Sequence, residues 1–466
     1  MSHSRRHFLS TLAAAAPFAP QLAASLAGIG ALAAHAQGAS GNDYRALVCL
    51  YMSGGNDSHN WVVPVDAAGY ADYARSRSAL ALPRDALQPL SAAPRQASGR
   101  VFGMPADLAP MRNLYEAGQL AVVANVGTLE RPVDGIDFLN GRNLPPKLFS
   151  HNDQTAHWQS MGPEGTRAGW GGRIADAFQS LNEQPLFTSV STSGAAVFVA
   201  GAATSAYMVG ANGPEPITAL TVGGTLRSTT LSDALRQTLF NAGASPFQAD
   251  ISRTYKRSTD AYAALSAALS RVSVPNLPTT PQALSGGGAL RLDQLSLLRQ
   301  LRIVAQMIAA GQGLGMRRQV FMVSIGGFDT HGNQLRDHPA LMGAVAHGIG
   351  WFLSTVSTLG LGSNVTLFTA SDFGRTLVSN GSGSDHGWGS HHFVAGGAVR
   401  GRDIYGRFPT TALGTADDVG SGRLLPSTAV TEYAATLATW MGVSPGNLPA
   451  VLPGIGSFSS SKLGFI

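Results

Sequence analysis

Three runs of apolar residues, each followed within a few positions by glycine and by metal-ligating side chains, constrain the fold of this chain most. They span residues 46–52, 319–325 and 365–369. A strand covered on both faces lacks the alternation of apolar and polar residues, so each run predicts a central strand of a parallel sheet. Helical patterns separate the runs and predict crossover connections. The expected fold class is α/β, with a mostly parallel central sheet and helices on both faces.

Weaker patterns complete the predicted fold. Further strands are expected at residues 120–125 and 393–395. Segments with helical spacing are found at residues 107–117, 171–178, 231–240, 249–272, 292–310, 340–359 and 427–441. Residues 184–290 mix short apolar runs with Gly, Ser, Thr and Pro, which predicts an inserted cap or linker region. The expected domain therefore spans residues 37–466 and contains this insertion.

The first 36 residues have the order of an export signal. A twin-arginine pattern, Ser4-Arg5-Arg6-His7-Phe8-Leu9, precedes an Ala-rich apolar run, and Ala34-His35-Ala36 fits the small-residue rule for cleavage. Prolines interrupt the run, which argues against a permanent membrane span, although an uncleaved anchor stays open. The sequence thus predicts a periplasmic or secreted protein whose mature chain begins near Gln37 and has no transmembrane span.

Composition agrees with a globular exported protein and argues against nucleic acid as a partner. The formal net charge is +5, of which Arg5 and Arg6 contribute two, and no basic stripe with interleaved aromatic residues is present. Cys49 is the only cysteine, so no intrachain disulfide can form. Because Cys49 lies among apolar residues of the first predicted strand, we interpret it as a buried strand residue and not as a nucleophile.

The polar segments after the first two strands contain side chains that bind metals. Asp57 ends a Gly-Gly-Asn-Asp segment after the first strand, and Asp329 and His331 follow the second. In an extended loop, Asp and His two residues apart point to the same side, so both can reach one ion. An ordinary polar turn explains each segment equally well, because Asn and Asp side chains also bond to nearby backbone.

The third strand leads to a carboxylate, a cation and an Asp-His pair. Asp372 is interpreted either as a helix N-cap or as a metal ligand. Arg375 follows three residues later, where it would neutralise Asp372 or bind an oxygen of an anionic substrate. Asp385 and His386 follow a Gly-rich loop, and histidine is the commonest nitrogen ligand of divalent metals.

All these side chains follow strand ends, and the carboxyl ends of parallel strands lie on one edge of a sheet. The predicted metal ligands are Asp57, Asp329, His331, Asp372, Asp385 and His386. Such a set suffices for one or two divalent ions, with zinc, manganese and calcium as the candidates. Two ions would suit hydrolysis of phosphate or sulfate esters, because they hold the attacking and the leaving oxygen.

The motifs also resemble a known family. The twin-arginine signal and the segments at 47–57, 326–332, 371–376 and 385–387 look like the bacterial family called "domain of unknown function 1501". That family is similar to the alkaline phosphatase/sulfatase superfamily, which implies an alkaline-phosphatase-like fold and an anionic ester substrate. The resemblance implies metal ligands at Asp57, Asp329, His331, Asp372 and His386.

One position departs from the superfamily pattern. Alkaline phosphatases have a histidine directly after the strand-end acid, and this chain has Phe373 after Asp372. A second metal would therefore be weaker, different or missing, unless Asp385 compensates.

The resemblance also implies a nucleophile at a helix start, and Ser150 is the best positional match. Metal coordination would lower the pKa of its hydroxyl, and the helix N-terminus would favour the charge of a phosphate. A simple N-cap is the alternative role of Ser150. The Cys-X-Pro-X-Arg signature of formylglycine sulfatases is absent from the sequence.

Two functional hypotheses remain. In the first, the chain is an exported metal-dependent hydrolase of phosphate or sulfate esters, in which Ser150 attacks and Arg375 holds substrate oxygens. In the second, the chain is a non-catalytic exported protein that uses a phosphatase-like fold for a structural or partner-binding role. The number of ligand-type residues favours the first hypothesis, and Phe373 favours the second.

Overall fold

The computed structural model describes residues 43–241, 243 and 245–466. The predicted export signal, residues 1–36, lies outside the described residues. The described part of the chain has the predicted α/β fold, built around one large sheet with smaller sheets beside it.

Sixteen strands are present among the described residues, and nine of them form the central sheet. The strands are β1 (Arg45–Met52), β2 (Val63–Pro64), β3 (Leu87–Pro89), β4 (Phe102–Pro105), β5 (Leu120–Gly127), β6 (Ser189–Ser191), β7 (Tyr207–Met208), β8 (Gln282–Ala283), β9 (Ala289–Leu290), β10 (Arg318–Ile325), β11 (Val365–Ser371), β12 (Arg375–Ser379), β13 (Ser384–His386), β14 (Ser390–Ala395), β15 (Ile404–Tyr405) and β16 (Thr428–Ala429). The order in the central sheet is β15-β5-β14-β11-β1-β10-β6-β7, with β16 also paired to β5.

The three apolar runs are central neighbours, as predicted. β1 pairs in parallel with β10 on one side and with β11 on the other. Met52, the last residue of β1, lies opposite Ile325 of β10 and Ser371 of β11. The three strands therefore end level with one another, and the loops that follow them emerge side by side at one edge of the sheet.

The strands predicted at 120–125 and 393–395 are also confirmed, as parts of β5 and β14. β14 is antiparallel to both β11 and β5, whereas the remaining pairs of the central sheet are parallel. The sheet is therefore mostly parallel, with one reversed strand.

Eleven α-helices are present in the described residues. They are α1 (Ala67–Arg77), α2 (Ala109–Glu116), α3 (Gly135–Leu139), α4 (His151–Ser160), α5 (Trp170–Phe178), α6 (Thr229–Phe240), α7 (Pro246–Leu269), α8 (Ser296–Ala310), α9 (Gln334–Thr358), α10 (Val430–Met441) and α11 (Leu448–Val451). Each of the seven segments with helical spacing corresponds to one of them. The helix predicted at 340–359 begins earlier, at Gln334, and continues through Pro339. α1 was not predicted, because it buries only Tyr73, Ser76 and Arg77 and has no apolar stripe.

Both faces of the central sheet are covered. Val48 and Leu50 of β1 pack into one hydrophobic core with residues of α8 and α9, whereas Leu47 and Cys49 face a second core with residues of α5 and α10. This alternation explains the continuous apolar run, since both faces of the strand are buried. Cys49 is a buried strand residue, as predicted, and burial raises the pKa of its thiol.

The predicted inserted region, residues 184–290, contains elements of two kinds. β6 and β7 extend the central sheet beyond β10, while α6 and α7 pack on each other near this side of the sheet. The C-terminal end of the region contains the small β8–β9 hairpin.

Within the described residues, α9 is the one helix that is long and apolar enough to cross a membrane by length and composition. The most apolar 18-residue stretch of this helix is 61% buried inside the fold. A core helix of a globular protein meets the same criterion, so this observation is weak evidence for a membrane span.

Candidate metal centre

Loops from three neighbouring strands bring the candidate side chains together at the carboxyl edge of the sheet. β1 leads to Gly54, β10 to Asp329 and β11 to Asp372. Gly54 has a φ of 116°, and a Cβ at this position would lie 2.4 Å from the backbone nitrogen of Asp329. The first loop can approach the second this closely because residue 54 is glycine.

The β12–β13 hairpin supplies the remaining candidates. Arg375 opens β12 and pairs with His386 at the end of β13. The backbone N–H of Ser384 donates to the carbonyl of Thr330, at 3.2 Å, and so ties the hairpin to the loop after β10. The hairpin therefore lies against the loop that contains Asp329.

Three ligand atoms form a small triangle at this point. The Nε2 atoms of His331 and His386 are 2.9 Å apart. The Oδ1 atom of Asp329 lies 3.1 Å from Nε2 of His331 and 3.2 Å from Nε2 of His386. Atoms about 2.0–2.2 Å from one tetrahedral ion are about 3.3–3.6 Å apart, so the triangle is close to one face of a coordination sphere.

Hydrogen bonds at the Nδ1 atoms of the two imidazoles determine that the Nε2 atoms carry the lone pairs in the triangle. Nδ1 of His386 is 2.8 Å from the carbonyl of Phe149, and a carbonyl only accepts, so Nδ1 donates. Nδ1 of His331 is 3.1 Å from Oδ1 of Asp385 and donates in the same way. In the neutral rings both Nε2 atoms therefore present lone pairs to each other and to Asp329, an arrangement that a shared cation relieves.

His151 lies beside this triangle and is not among the predicted ligands; Asp329, His331, His386 and His151 together are called the cluster below. It is the first residue of α4, and its Nδ1 lies 2.7 Å from Oδ2 of Asp372. Its Nε2 is 3.6 Å from Oδ2 of Asp329. His151, Asp329 and His386 can each offer a ligand atom within 4.8 Å of the others. The signal was present in the sequence, since His151 directly follows Ser150 in the segment considered for a nucleophile.

Phe373 occupies space beside the imidazoles. Its ring centroid lies 4.5 Å from that of His386 and 4.9 Å from that of His151. A Cβ on Gly55 would clash with the Phe373 ring at 2.4 Å. The residue that departs from the superfamily pattern thus forms an apolar wall against which two of the histidines pack.

Arg375 is fully buried beneath the cluster. Its Nη1 donates to Oδ1 of Asp329 at 2.6 Å and to the carbonyl of Gly54 at 3.3 Å, and its Nη2 donates to the carbonyl of Ser384. These contacts direct the guanidinium toward Asp329 and away from solvent. Arg375 therefore positions Asp329 in this structure and does not face an open substrate site.

The comparisons with known proteins agree with the family expectation. The model of the family described as "Protein of unknown function (DUF1501)" matches residues 44–436. The chain belongs to the DUF1501 family. No curated protein matches the chain.

Solved structures show only distant likeness to this DUF1501 member. The PsFucS1 sulfatase from Pseudoalteromonas sp. has a TM-score of 0.36 at 10% identity, with 90% of this chain and 71% of that chain covered. The structure of Ps i-CgsB in complex with k-i-k-neocarrahexaose has a TM-score of 0.35 at 10% identity, with 90% of this chain and 75% of that chain covered. The Bacteroides thetaiotaomicron protein BT33494S-sulf has a TM-score of 0.32 at 11% identity, with 88% of this chain and 74% of that chain covered.

Asp57, a predicted ligand, is found in a separate buried network. Its Oδ2 accepts from Nη2 of Arg77 at 2.5 Å and from Nε2 of Gln334, and its Oδ1 accepts from the backbone N–H of His59 at 3.1 Å. Asp57 and Arg77 have no exposed side-chain surface. The structure thus places Asp57 with chain-derived partners and not in the triangle of ligand atoms.

Ser150, the predicted nucleophile, is the N-cap residue of α4. Its hydroxyl donates to Oδ2 of Asp153 at 2.7 Å, and Asp153 is also 3.6 Å from Nζ of Lys147. The hydroxyl is therefore engaged within the first turn of its own helix.

The local electrostatics differ from residue to residue. Burial tends to raise the pKa of Asp329, but the hydrogen bond and charge of Arg375 outweigh it, so the pKa lies below its usual value. The hydrogen bond from Asn380 lowers the pKa of Asp385. Burial lowers the pKa of His386, whereas the hydrogen bond to Asp372 raises that of His151. At neutral pH the triangle therefore combines ionised carboxylate with a mostly neutral His386.

A cleft of about 630 Å³ opens beside the cluster. Asp329, Asp372 and His151 lie on its wall together with the polar face of α4, from Asn152 to Gln159. Ser150 is not among the lining residues. Asp329 and His151 are therefore accessible from a cleft that accommodates a small molecule, whereas His331 and His386 are not among the residues that line it.

Proposed function

We propose that this chain is an exported metal-dependent hydrolase of phosphate or sulfate esters, with one divalent ion held by Asp329, His331 and His386. The observation that carries the proposal is the convergence of two imidazole lone pairs and a carboxylate oxygen within 2.9–3.2 Å. Such an arrangement is repulsive without a proton or a metal ion between the atoms. The residues present thus fit the metal that the family resemblance implies.

The donor set limits the metal. Two imidazole nitrogens and one carboxylate oxygen suit zinc or manganese, whereas calcium prefers oxygen ligands throughout. Phe373 fills the space beside His151 and His386, and Asp57 is paired with Arg77, so the proposal uses a single ion.

Residues around the triangle would hold its geometry. Asp385 and the carbonyl of Phe149 orient the two imidazoles through Nδ1, as carboxylates and carbonyls do in many metal sites. Phe149 has a φ of 72°, a strained conformation that supports a local functional constraint. Arg375 holds the carboxylate of Asp329.

The reaction would take place on the cleft side. A bound divalent ion lowers the pKa of a water molecule and polarises the ester oxygen. His151 lines the cleft, and its bond to Asp372 holds Nδ1, which leaves Nε2 to carry a proton toward a leaving oxygen. Ser150 has a local partner in Asp153, so the proposal takes the attacking oxygen from water.

Metal analysis of the purified protein, combined with assays on p-nitrophenyl phosphate and p-nitrophenyl sulfate, tests the proposal. We expect about one zinc or manganese ion per chain and metal-dependent turnover of one ester. Asp329→Ala should remove the metal, whereas Asp337→Ala should keep it. Asp337 matches Asp329 in exposure, 45% against 44%, but its partner Arg336 is 73% exposed whereas Arg375 is fully buried. Circular dichroism therefore has to show that Asp329→Ala remains folded when its metal content is measured.

Two outcomes would contradict the hydrolase proposal. If the purified protein binds neither zinc nor manganese, the proposed metal site does not exist. Protein that binds metal but turns over neither ester would favour the alternative of a non-catalytic, partner-binding member of the family.

Export is proposed from the twin-arginine pattern in residues 1–36. Replacing Arg5 and Arg6 by lysine should retain the protein in the cytoplasm, while the natural sequence should reach the periplasm or the medium. Cell fractionation measures the distribution, and an unchanged distribution would remove the twin-arginine route.

A further inference from the structure

A continuous series of buried polar side chains connects the Asp57–Arg77 pair to the metal-site carboxylate. Gln334 and Ser384 lie between the two acid–cation pairs, and neither has exposed surface. The predicted ligands thus belong to two clusters that are linked through the protein interior.

Gln334 makes the first link. It is the first residue of α9, and its Nε2 donates to Oδ2 of Asp57. Its Oε1 accepts from Oγ of Ser384 at 2.7 Å. The single amide therefore fixes the rotation of the Ser384 side chain against the buried ion pair.

Ser384 makes the second link. Its carbonyl accepts from Nη2 of Arg375, and its Oγ lies 3.5 Å from Nε of the same guanidinium. Nη1 of Arg375 then donates to Oδ1 of Asp329, the atom that faces both imidazoles. The orientation of that carboxylate depends on where the guanidinium is held.

We propose that Gln334 is a positioning residue of the metal site, a role that rests on the proposed metal-dependent function. Through Ser384 and Arg375 it holds Oδ1 of Asp329 in the triangle with His331 and His386. An amide suits this position, since it donates to the carboxylate of Asp57 and accepts from a hydroxyl with the same group. Partners that hydrogen-bond a metal ligand directly alter metal affinity by about 10–100-fold when they are removed, and Gln334 acts on such a partner, Arg375, through Ser384.

The test is Gln334→Met in the full-length protein, compared with Gln319→Met. Gln319 is a matched control, because it is equally buried, makes two side-chain hydrogen bonds, and lies at the opposite end of β10. Cobalt(II) is the probe, since its visible absorption reports the ligand geometry. We expect Gln334→Met to weaken cobalt binding by up to about tenfold, the lower end of the range for direct partners of a ligand, and to change the absorption bands. Gln319→Met should leave both unchanged.

Ser384→Ala is a second variant, in case Gln334→Met does not fold. It removes the hydroxyl link but keeps the backbone carbonyl that Arg375 uses. Weaker cobalt binding with an altered spectrum in this variant supports the role of the series. Unchanged affinity and spectrum would overturn it.

The outcomes separate this inference from the proposed function. If the wild-type protein binds cobalt and the Gln334 and Gln319 variants behave alike, the positioning role is wrong and the metal site stands. If the wild-type protein binds neither cobalt nor zinc, both are overturned. A variant that only unfolds at lower temperature, with its cobalt spectrum retained, assigns Gln334 a structural role and overturns the inference.

Discussion

Two acid–arginine pairs lie at the same edge of the central sheet, and they differ in what else surrounds the acid. Asp57 and Arg77 are 2.5 Å apart, and both side chains are fully buried. Asp329 and Arg375 are 2.6 Å apart, but the side chain of Asp329 is 44% exposed and also faces two imidazoles. The chain supplies every partner of the first acid, whereas the second acid has an open side toward the cleft.

Similar local sequence therefore leads to two different roles for the acid. Both acids follow glycines after an apolar strand. A buried carboxylate requires a complete set of partners, because an unpaired charge in the interior is strongly unfavourable. A half-exposed carboxylate beside two imidazoles has an open side and can accept an external cation in addition to its arginine. We therefore expect substitutions at the buried pair to affect stability, and substitutions at the open cluster to affect metal binding.

The largest expected effect is that of Arg77→Met. It leaves the carboxylate of Asp57 buried beside Gln334 without its counter-charge, so the free energy of unfolding should fall by about 3–5 kcal/mol. His331→Ala, at a side chain of the open cluster that is 46% exposed, should change it by less than about 1 kcal/mol. Urea unfolding followed by circular dichroism measures both values. Equal losses would show that the buried pair and the open cluster contribute alike to stability.

Removal of one imidazole should separate binding from folding. We expect His386→Ala to weaken zinc binding by more than about 100-fold, since a direct ligand contributes more than its supporting residues. The midpoint of urea unfolding without metal should stay close to that of the natural protein. His347→Ala, on α9, serves as the control and should retain zinc. Retention of zinc by His386→Ala would remove this residue from the site.

The buried pair should also give the protein a distinct acid sensitivity. Burial alone would raise the pKa of Asp57, but Arg77 and neighbouring groups lower it below its ordinary value. A lowered pKa in the folded state stabilises the fold above the unfolded value of about 3.9, and this stabilisation is lost as the pH falls below it.

Urea unfolding curves measured between pH 6 and pH 2 test the predicted loss of stability at low pH. Over this range the free energy of unfolding of the natural protein should fall by more than that of an Asp57→Asn, Arg77→Met double variant. The expected difference between the two losses is more than about 1 kcal/mol. A parallel pH dependence in the two proteins would show that another group dominates the acid response.

The smallest expected effect is that of Ser150→Ala. The hydroxyl of Ser150 donates to Asp153 in the first turn of α4, so its loss should change the free energy of unfolding by about 1 kcal/mol or less. Ester turnover and zinc content should stay within about twofold of the natural protein. Abolished turnover with zinc retained would instead restore Ser150 as the nucleophile.

Much of the fold was predictable because its signals are local. The runs that became β1 and β10 have apolar centres, and β11 interrupts its apolar run only with the buried threonines Thr366 and Thr369. This pattern is typical of strands buried on both faces. α1 was missed because it buries few apolar side chains, and with it Arg77, whose role depends on a partner 20 residues away.

The candidate cluster was predictable in part. Asp329, His331 and His386 were selected because they follow strand ends or a Gly-rich loop. His151 was passed over in favour of the adjacent Ser150, because a serine before a helix is a stronger local signal than a histidine inside it. Gln334 had no local signal, since its importance arises from two partners that are far away in the sequence.

The α/β fold class, the family and the sheet edge where the polar residues gather follow from local sequence, because periodicity and motif order are properties of neighbouring residues. The folded chain is needed to tell which acid is neutralised by an arginine and which one faces two imidazoles. Charge pairing and exposure depend on distances between segments that are remote in the chain. Asp57 and Asp329 look alike in the sequence, and only their surroundings in the fold make one a buried partner of Arg77 and the other a candidate metal ligand.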